Sequence, residues 1–239
     1  MRKKRFLTGA VVAALVASVA AVAIGAPAVQ TIDVIVGGKA KPKFSTTNFK
    51  GTKIDVTTTT SDQANPSGIP PKANKAVIVF DKRNMKFDPK AAPTCNKAQL
   101  ENTTTEAAKA ACGPAQVGAG SAIAALPFGV GGTRQDFPAV VTAFNNGDSA
   151  GVLLHSRVAA LGTTVVLPGS LNGTTLTVDI PPLGGGVGAI AEFKTVVQSG
   201  KYVQARCKKK TIKTTSTFTF NDAPPATATD AQKCRQRQS

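Results

Sequence analysis

Ile212-Lys213-Thr214-Thr215-Ser216-Thr217-Phe218-Thr219-Phe220 alternates apolar with polar side chains. A period of two is the repeat of a β-strand with one face on a core and the other in water. Ile212, Phe218 and Phe220 take the inner face, and Lys213, Thr215, Thr217 and Thr219 the outer one. The same reading works outward from this stretch. Tyr202 to Cys207 precedes it across Lys208-Lys209-Lys210 and is expected to be its hairpin partner, with Cys207 on the inward face of Val203 and Ala205. Leu176, Val178 and Ile180 alternate with Thr175, Thr177 and Asp179 until Pro181-Pro182 stops the strand.

Further upstream, Val140 to Phe144 and Val152 to Val158 read as two strands. Asn146-Gly147 between them tolerates positive φ, which marks a hairpin. Ala76-Val77-Ile78-Val79-Phe80 is apolar on both faces and predicts a central strand covered on both sides. Ile32, Val34 and Val36 share a face of a first strand, and Ile54 and Val56 open another that runs into Thr57-Thr58-Thr59-Thr60. Asn65-Pro66-Ser67-Gly68 and Pro70-Pro71 form a loop. The threonine tracts are assigned to solvent-facing strand positions rather than to a mucin-like stalk. Short strands punctuated by Gly and Pro predict an all-β fold, an antiparallel β-sandwich of immunoglobulin-like or jelly-roll-like form.

One helical excursion is expected, between Cys95 and Cys112. Asn96 caps it with Gln99 three residues on. Thr103-Thr104-Thr105 interrupts it, Glu106 to Ala111 forms a further turn or two, and Gly113-Pro114 ends it. The excursion is expected to sit on the edge of a sheet.

Cys95, Cys112, Cys207 and Cys234 are the only cysteines. Zinc ligands usually come in close pairs, and the chain has one histidine, so metal ligation is not expected. Four cysteines allow three pairings. Cys95–Cys112 and Cys207–Cys234 are preferred because each brackets a local segment. Closing such a loop stabilises by about 3 kcal/mol in the chain-entropy model.

The N-terminus sets the compartment. Arg2-Lys3-Lys4-Arg5 precedes an apolar run from Phe6 to Ala26, which closes on Ala26-Pro27-Ala28. Basic head, apolar middle and small-residue triplet define a signal peptide over residues 1–28. The run is also just long enough to serve as an uncleaved anchor. The expected organisation is then a β-sandwich over 29–222, open to division into two β subdomains near 127–135, and a tail over 223–239 tied by Cys234. The net charge is +16; without the four cations of the head it is +12. Such a surface attracts polyanions.

Motifs for chemistry are weak. Gly118-Ala119-Gly120-Ser121-Ala122 lacks the spacing of a nucleophile elbow and reads as a glycine bend before a strand. Gly184-Gly185-Gly186-Val187-Gly188 opens no helix and reads as a flexible loop. His155 reads as a surface or edge histidine, with Ser156 on the wrong face to be its partner. Asp33, Asp136, Asp148 and Asp179 show no pairing suited to glycoside hydrolysis. The basic clusters are Lys39-Ala40-Lys41-Pro42-Lys43 and Arg206 through Lys210 with Lys213. They lack interleaved aromatics; the chain has no Trp and one Tyr, so specific nucleic-acid binding is not expected.

Val77-Ile78-Val79-Phe80 followed by Pro93-Thr94-Cys95, then Cys112-Gly113-Pro114 and Val117-Gly118-Ala119-Gly120-Ser121-Ala122, resembles a pattern found in uncharacterised exported β-sandwich proteins of high-GC Gram-positive bacteria. Tyr202 with Cys207, the strand end Phe218-Thr219-Phe220-Asn221-Asp222 and Cys234 extend the resemblance, although Ala223 replaces the glycine expected after Asp222. The resemblance implies the fold and the disulfides, and no activity.

The expectation is an extracytoplasmic, secreted or envelope-associated, non-catalytic module without a cofactor. Lys208, Lys209, Lys210 and Lys213 would contact an anionic cell-wall polymer or membrane surface. An extracellular polymer hydrolase with a carboxylate site assembled in space, and a purely structural envelope protein, are the alternatives.

Overall fold

The computed structural model describes residues 27–38, 42–147, 151–198 and 200–237. The apolar N-terminal run lies outside them, as do Lys39, Lys41 and Asp148. In chain order the strands are β1 (Ala28–Val36), β2 (Lys50–Gly51), β3 (Ile54–Asp62), β4 (Ala73–Phe80), β5 (Met85–Phe87), β6 (Gln116–Phe128) and β7 (Thr133–Gly147). They continue with β8 (Gly151–Val158), β9 (Thr163–Asn172), β10 (Thr175–Asp179), β11 (Ala189–Val197), β12 (Val203–Ala205), β13 (Thr211–Phe220) and β14 (Ala226–Lys233). Eleven of them form one antiparallel sheet in the order β1-β3-β11-β6-β7-β8-β9-β10-β4-β13-β14, and β2-β12-β5 form a small second sheet.

The large sheet nearly closes on itself. Its outer strands, β1 and β14, meet through a side chain. The Gln232 amide donates to the Val36 carbonyl at 3.2 Å, and its oxygen accepts from the Val36 N–H at 2.7 Å. The primary amide thus stands in for a strand neighbour on both backbone groups of Val36. Just beyond, Phe44 and Gln236 form a parallel bridge.

Period-two patterning is realised in β13, where Ile212, Thr214, Ser216, Phe218 and Phe220 are buried. Its outer threonines pair across the strand boundary: Thr215 with Thr229 at 3.2 Å and Thr217 with Thr227 at 3.1 Å. In β3 the threonine tract alternates faces, so Thr58 and Thr60 are buried beside Ile54 and Val56 rather than solvated.

Three local expectations are corrected. Val203–Ala205 does not pair with Thr211–Phe220; it joins β2 and β5, while β13 lies between β4 and β14. Strand β4 is central but covered on one face, since Val79 is 45% exposed. The strands covered on both faces are β7 and β8: Ala143, Val152 and Leu154 enter the main core, and Phe144 and Leu153 enter a second cluster. The stretch expected as a tail contributes β14, whose Ala226 and Ala228 pack on the core.

The second cluster explains the helical excursion. Asn96 and Gln99 form the expected reciprocal cap around a short 3-10 turn at Lys97–Gln99. Thr104 then caps α1 (Thr105–Cys112) by accepting from the Ala107 N–H. The threonines that interrupt the first turn therefore start the second. Leu100, Ala108, Cys95 and Cys112 bury Phe144, Leu153 and Val166 beneath them. The excursion lies on the face of β7, β8 and β9, not on an edge, because that is where the sheet leaves apolar side chains uncovered on its outer side.

Candidate functional site

Both disulfides form as expected, Cys95–Cys112 and Cys207–Cys234. They mark an oxidising, extracytoplasmic folding compartment. Among the described residues no helix is long and apolar enough to cross a membrane.

Cys207–Cys234 assembles the basic end of the molecule. Cys207 is fully buried two residues beyond the end of β12, so Lys208, Lys209 and Lys210 turn outward immediately after it and are exposed, as is Lys213 on the outer face of β13. The partner segment brings its own cations. The Cys234 N–H donates to the Lys210 carbonyl at 2.8 Å, and the Gln236 side chain donates to the Cys207 carbonyl at 3.0 Å. Lys233, Arg235 and Arg237 therefore flank the lysine turn. Phe44 exchanges backbone hydrogen bonds with Arg235 and Arg237, at 2.9 and 2.8 Å, which adds Lys43.

Asn84 ties this end together. It is fully buried. Its amide donates to Asp81 at 2.9 Å and to the Thr211 carbonyl at 3.0 Å, and its oxygen accepts from the Lys209 N–H at 3.2 Å. Asp81, the acid nearest the turn in this network, also caps the Arg83 N–H at 2.9 Å. Its oxygens are thus engaged in shaping the turn. Among the described residues Lys208, Lys209, Lys210 and Lys213 make no ion pair; pairs such as Lys75–Asp179 at 3.7 Å and Lys194–Glu192 at 2.8 Å lie elsewhere. Arg206 is committed internally. It donates to the Arg83 and Thr47 carbonyls and stacks 4.3 Å from the Phe49 ring centroid.

Sequence reasoning found the lysine turn and, as a separate cluster, Lys43, but missed Asn84 and the arginines after Cys234. The signal for Arg235 and Arg237 was available: pairing Cys207 with Cys234 sets them beside Lys208.

His155 is buried, not at the surface. Its Nε2 lies 3.1 Å from the Thr103 hydroxyl and 3.2 Å from the Thr103 carbonyl. The Thr103 hydroxyl donates to Leu100 at 2.7 Å, so Nε2 carries the proton and Nδ1 is the bare nitrogen. Nδ1 has no partner, and neither has the hydroxyl of Thr142, its cross-strand neighbour. Burial lowers the pKa of the imidazole, outweighing the Thr103 contact.

The glycines of Gly118-Ala119-Gly120 are not a bend. They lie inside β6, where a Cβ on Gly120 would sit 1.9 Å from the Lys194 carbonyl oxygen. Ser121 is exposed on the same strand. Asp136 pairs with Arg134 at 2.7 Å, Asp179 with Lys75, and Asp33 lies on β1. Among the described residues no three His, Cys, Asp or Glu side chains gather as a metal site would require.

Among the described residues one hollow is almost wholly apolar. A cavity of about 110 Å³ lies inside the large sheet, lined among others by Val56, Ile78, Leu154, Leu176 and Phe193. Tyr202 reaches it with its hydroxyl donating to the Gly151 carbonyl at 3.3 Å, and burial pushes its pKa up to about 12. No protein-family model and no curated protein matches this chain.

Proposed function

We propose that the protein is an exported, non-catalytic envelope module that docks on anionic cell-wall polymer through its basic end. The convergence of cations from residues 43, 208–210, 213 and 233–237 around one disulfide carries this reading. Like charges are held together there without ion-pair partners for the lysine turn, a cost that a polyanion would relieve. The signal peptide belongs to the same reading, as does kinship with exported β-sandwich proteins of high-GC Gram-positive bacteria. We read the large sheet as a sandwich whose two layers are halves of one continuous sheet. The cavity supports this, since β3 and β11 face β4, β9 and β10 across it.

The test is co-sedimentation of the protein with purified anionic wall polymer across a salt series. Binding is expected to weaken steeply as salt rises and the Debye length falls to ~8 Å near 0.15 M. At about 1 kcal/mol per lysine near an anionic surface, changing Lys208, Lys209 and Lys210 together to Gln lowers low-salt affinity by about 100-fold. The thermal midpoint should stay unchanged, because exposed turn charges contribute little to stability. Salt-independent binding, or an unaffected triple variant, would remove the basic end from consideration.

A further inference from the structure

We infer that the cavity inside the large sheet binds the hydrocarbon chain of a small single-chain amphiphile, which enters at the end of the sheet covered by residues 181–188. Protein interiors rarely keep voids larger than a water molecule. A cavity of about 110 Å³ has room for roughly eight water-sized spheres, and an apolar hollow of this kind stays dry and accepts apolar guests. Water would gain little here. The Thr195 hydroxyl, which lines the cavity, is buried without a hydrogen-bond partner, and Tyr202 is already bound to Gly151. Thr58 and Thr60 also line the wall, and the Thr60 hydroxyl already donates to Gln30 at 2.6 Å, so the hollow offers a stable internal water few of the two to four partners it needs.

The entrance follows from a second, smaller hollow of about 20 Å³ that shares Ala73, Ile180 and Ile190 with the cavity. Beyond these three residues the surroundings turn polar, with Lys72 and Asn221, and the cover is the loop that starts at Pro181-Pro182. Gly184, Gly185 and Gly186 all have positive φ, 54°, 71° and 92°. Such a run is open to glycine alone at low cost. The loop is closed by backbone bonds from Gly186 and Gly188 to the Leu183 carbonyl, at 2.9 and 3.0 Å. Apolar depth, a constriction and a polar rim in that order match a chain with a small head group. Lys72 stands at the rim, 3.6 Å from Asp222, so it can meet a carboxylate head by exchanging one anion for another. This mouth is at the opposite end from the lysine turn: β4 runs from Ala73 at the mouth to Phe80, next to the Asp81–Asn84 turn. The inference is therefore independent of polymer binding.

The test is titration of the full mature chain, methyl-labelled with 13C, with octanoic acid and separately with octan-1-ol. Saturable shifts are expected at Ile78, Leu154, Leu167 and Leu176, with a raised thermal midpoint. If the head group is a carboxylate, Lys72→Gln weakens octanoic acid about threefold and leaves octan-1-ol unchanged; equal behaviour of the two ligands assigns the site to the chain alone. Thr195→Leu fills the hollow and should reduce binding of both at least tenfold. Thr195→Val keeps the shape, guards against a folding artefact, and should bind at least as well as the parent. Absence of shifts up to the solubility limit, shifts confined to surface methyls, or full binding by a folded Thr195→Leu variant would overturn the inference.

Discussion

The two disulfides close loops of similar size, with sequence separations of 17 and 27, yet they hold opposite kinds of structure. Cys95–Cys112 fastens a lid of apolar side chains onto β7, β8 and β9, and its product is a second core. Cys207–Cys234 fastens two cation-bearing segments to each other, and its product is a charged surface. In the chain-entropy model the two closures are worth about 3 and 3.5 kcal/mol, nearly the same. The difference between them lies in what each bond keeps in place.

Breaking the bonds one at a time separates these roles. Replacing Cys95 and Cys112 with Ala removes the closure term and also loosens the cover over Phe144 and Leu153. A loss of about 4–5 kcal/mol in urea unfolding is expected, at the upper end for native disulfides. Replacing Cys207 and Cys234 should lose about 3–4 kcal/mol, because β14 still pairs with β13 along eight residues. The second variant alone should lose polymer affinity. If the order of the two stability losses is reversed, the register of β14 is weaker than its ladder implies.

A narrower cut at the basic end is Asn84→Ala. It leaves the Lys209 N–H and the Thr211 carbonyl without their side-chain partner. About 2–3 kcal/mol is expected, the sum of two unsatisfied groups. Polymer binding should fall with no change in net charge. Unchanged binding would show that the lysines act without a fixed arrangement.

What could be read in the sequence was local. The alternation in Ile212–Phe220, the pairing of β7 with β8 (whose strand β7 runs through Asn146-Gly147), the Asn96–Gln99 cap and the bracketed cysteine pairs depend on neighbours a few residues apart. The pairing of β13 with β4 joins Thr214 to Phe80, and nothing local in either strand names the other. Strand β4 misled because an exposed valine looks like a buried one in a short apolar run. Strand β8 carried the right signal, Val152-Leu153-Leu154-His155, but the histidine drew the reading toward the surface. Strand β14 alternates Ala with Thr and Asp, and alanine is too small to mark an inner face. Of the candidate site, the lysine turn was visible as a charge run. The cavity was not, because it depends on side-chain sizes summed over strands far apart in the chain.

The smallest expected effect tests the excursion from beneath. His155 sits under it with Nε2 bound to Thr103 and Nδ1 buried and bare. A second proton would have to go on Nδ1, with no acceptor in place, in surroundings that disfavour charge; Arg157 on the same strand opposes it further. The folded-state pKa is therefore below the unfolded value of 6.5. The unfolded chain binds the proton first as pH falls, so the stability contributed by neutral His155 is complete above pH 6.5 and declines below it. Thermal melts from pH 8 to 5.5 should show this decline in the parent protein. His155→Gln keeps an amide that can donate to Thr103 but cannot titrate, and it should remove this component while retaining the carboxylate background common to both chains. If both proteins lose stability in parallel over that range, protonation of His155 does not loosen the excursion. The Cys95–Cys112 lid then tolerates charge beneath it, and the contrast between an apolar stapled region and a charged one would need to be redrawn.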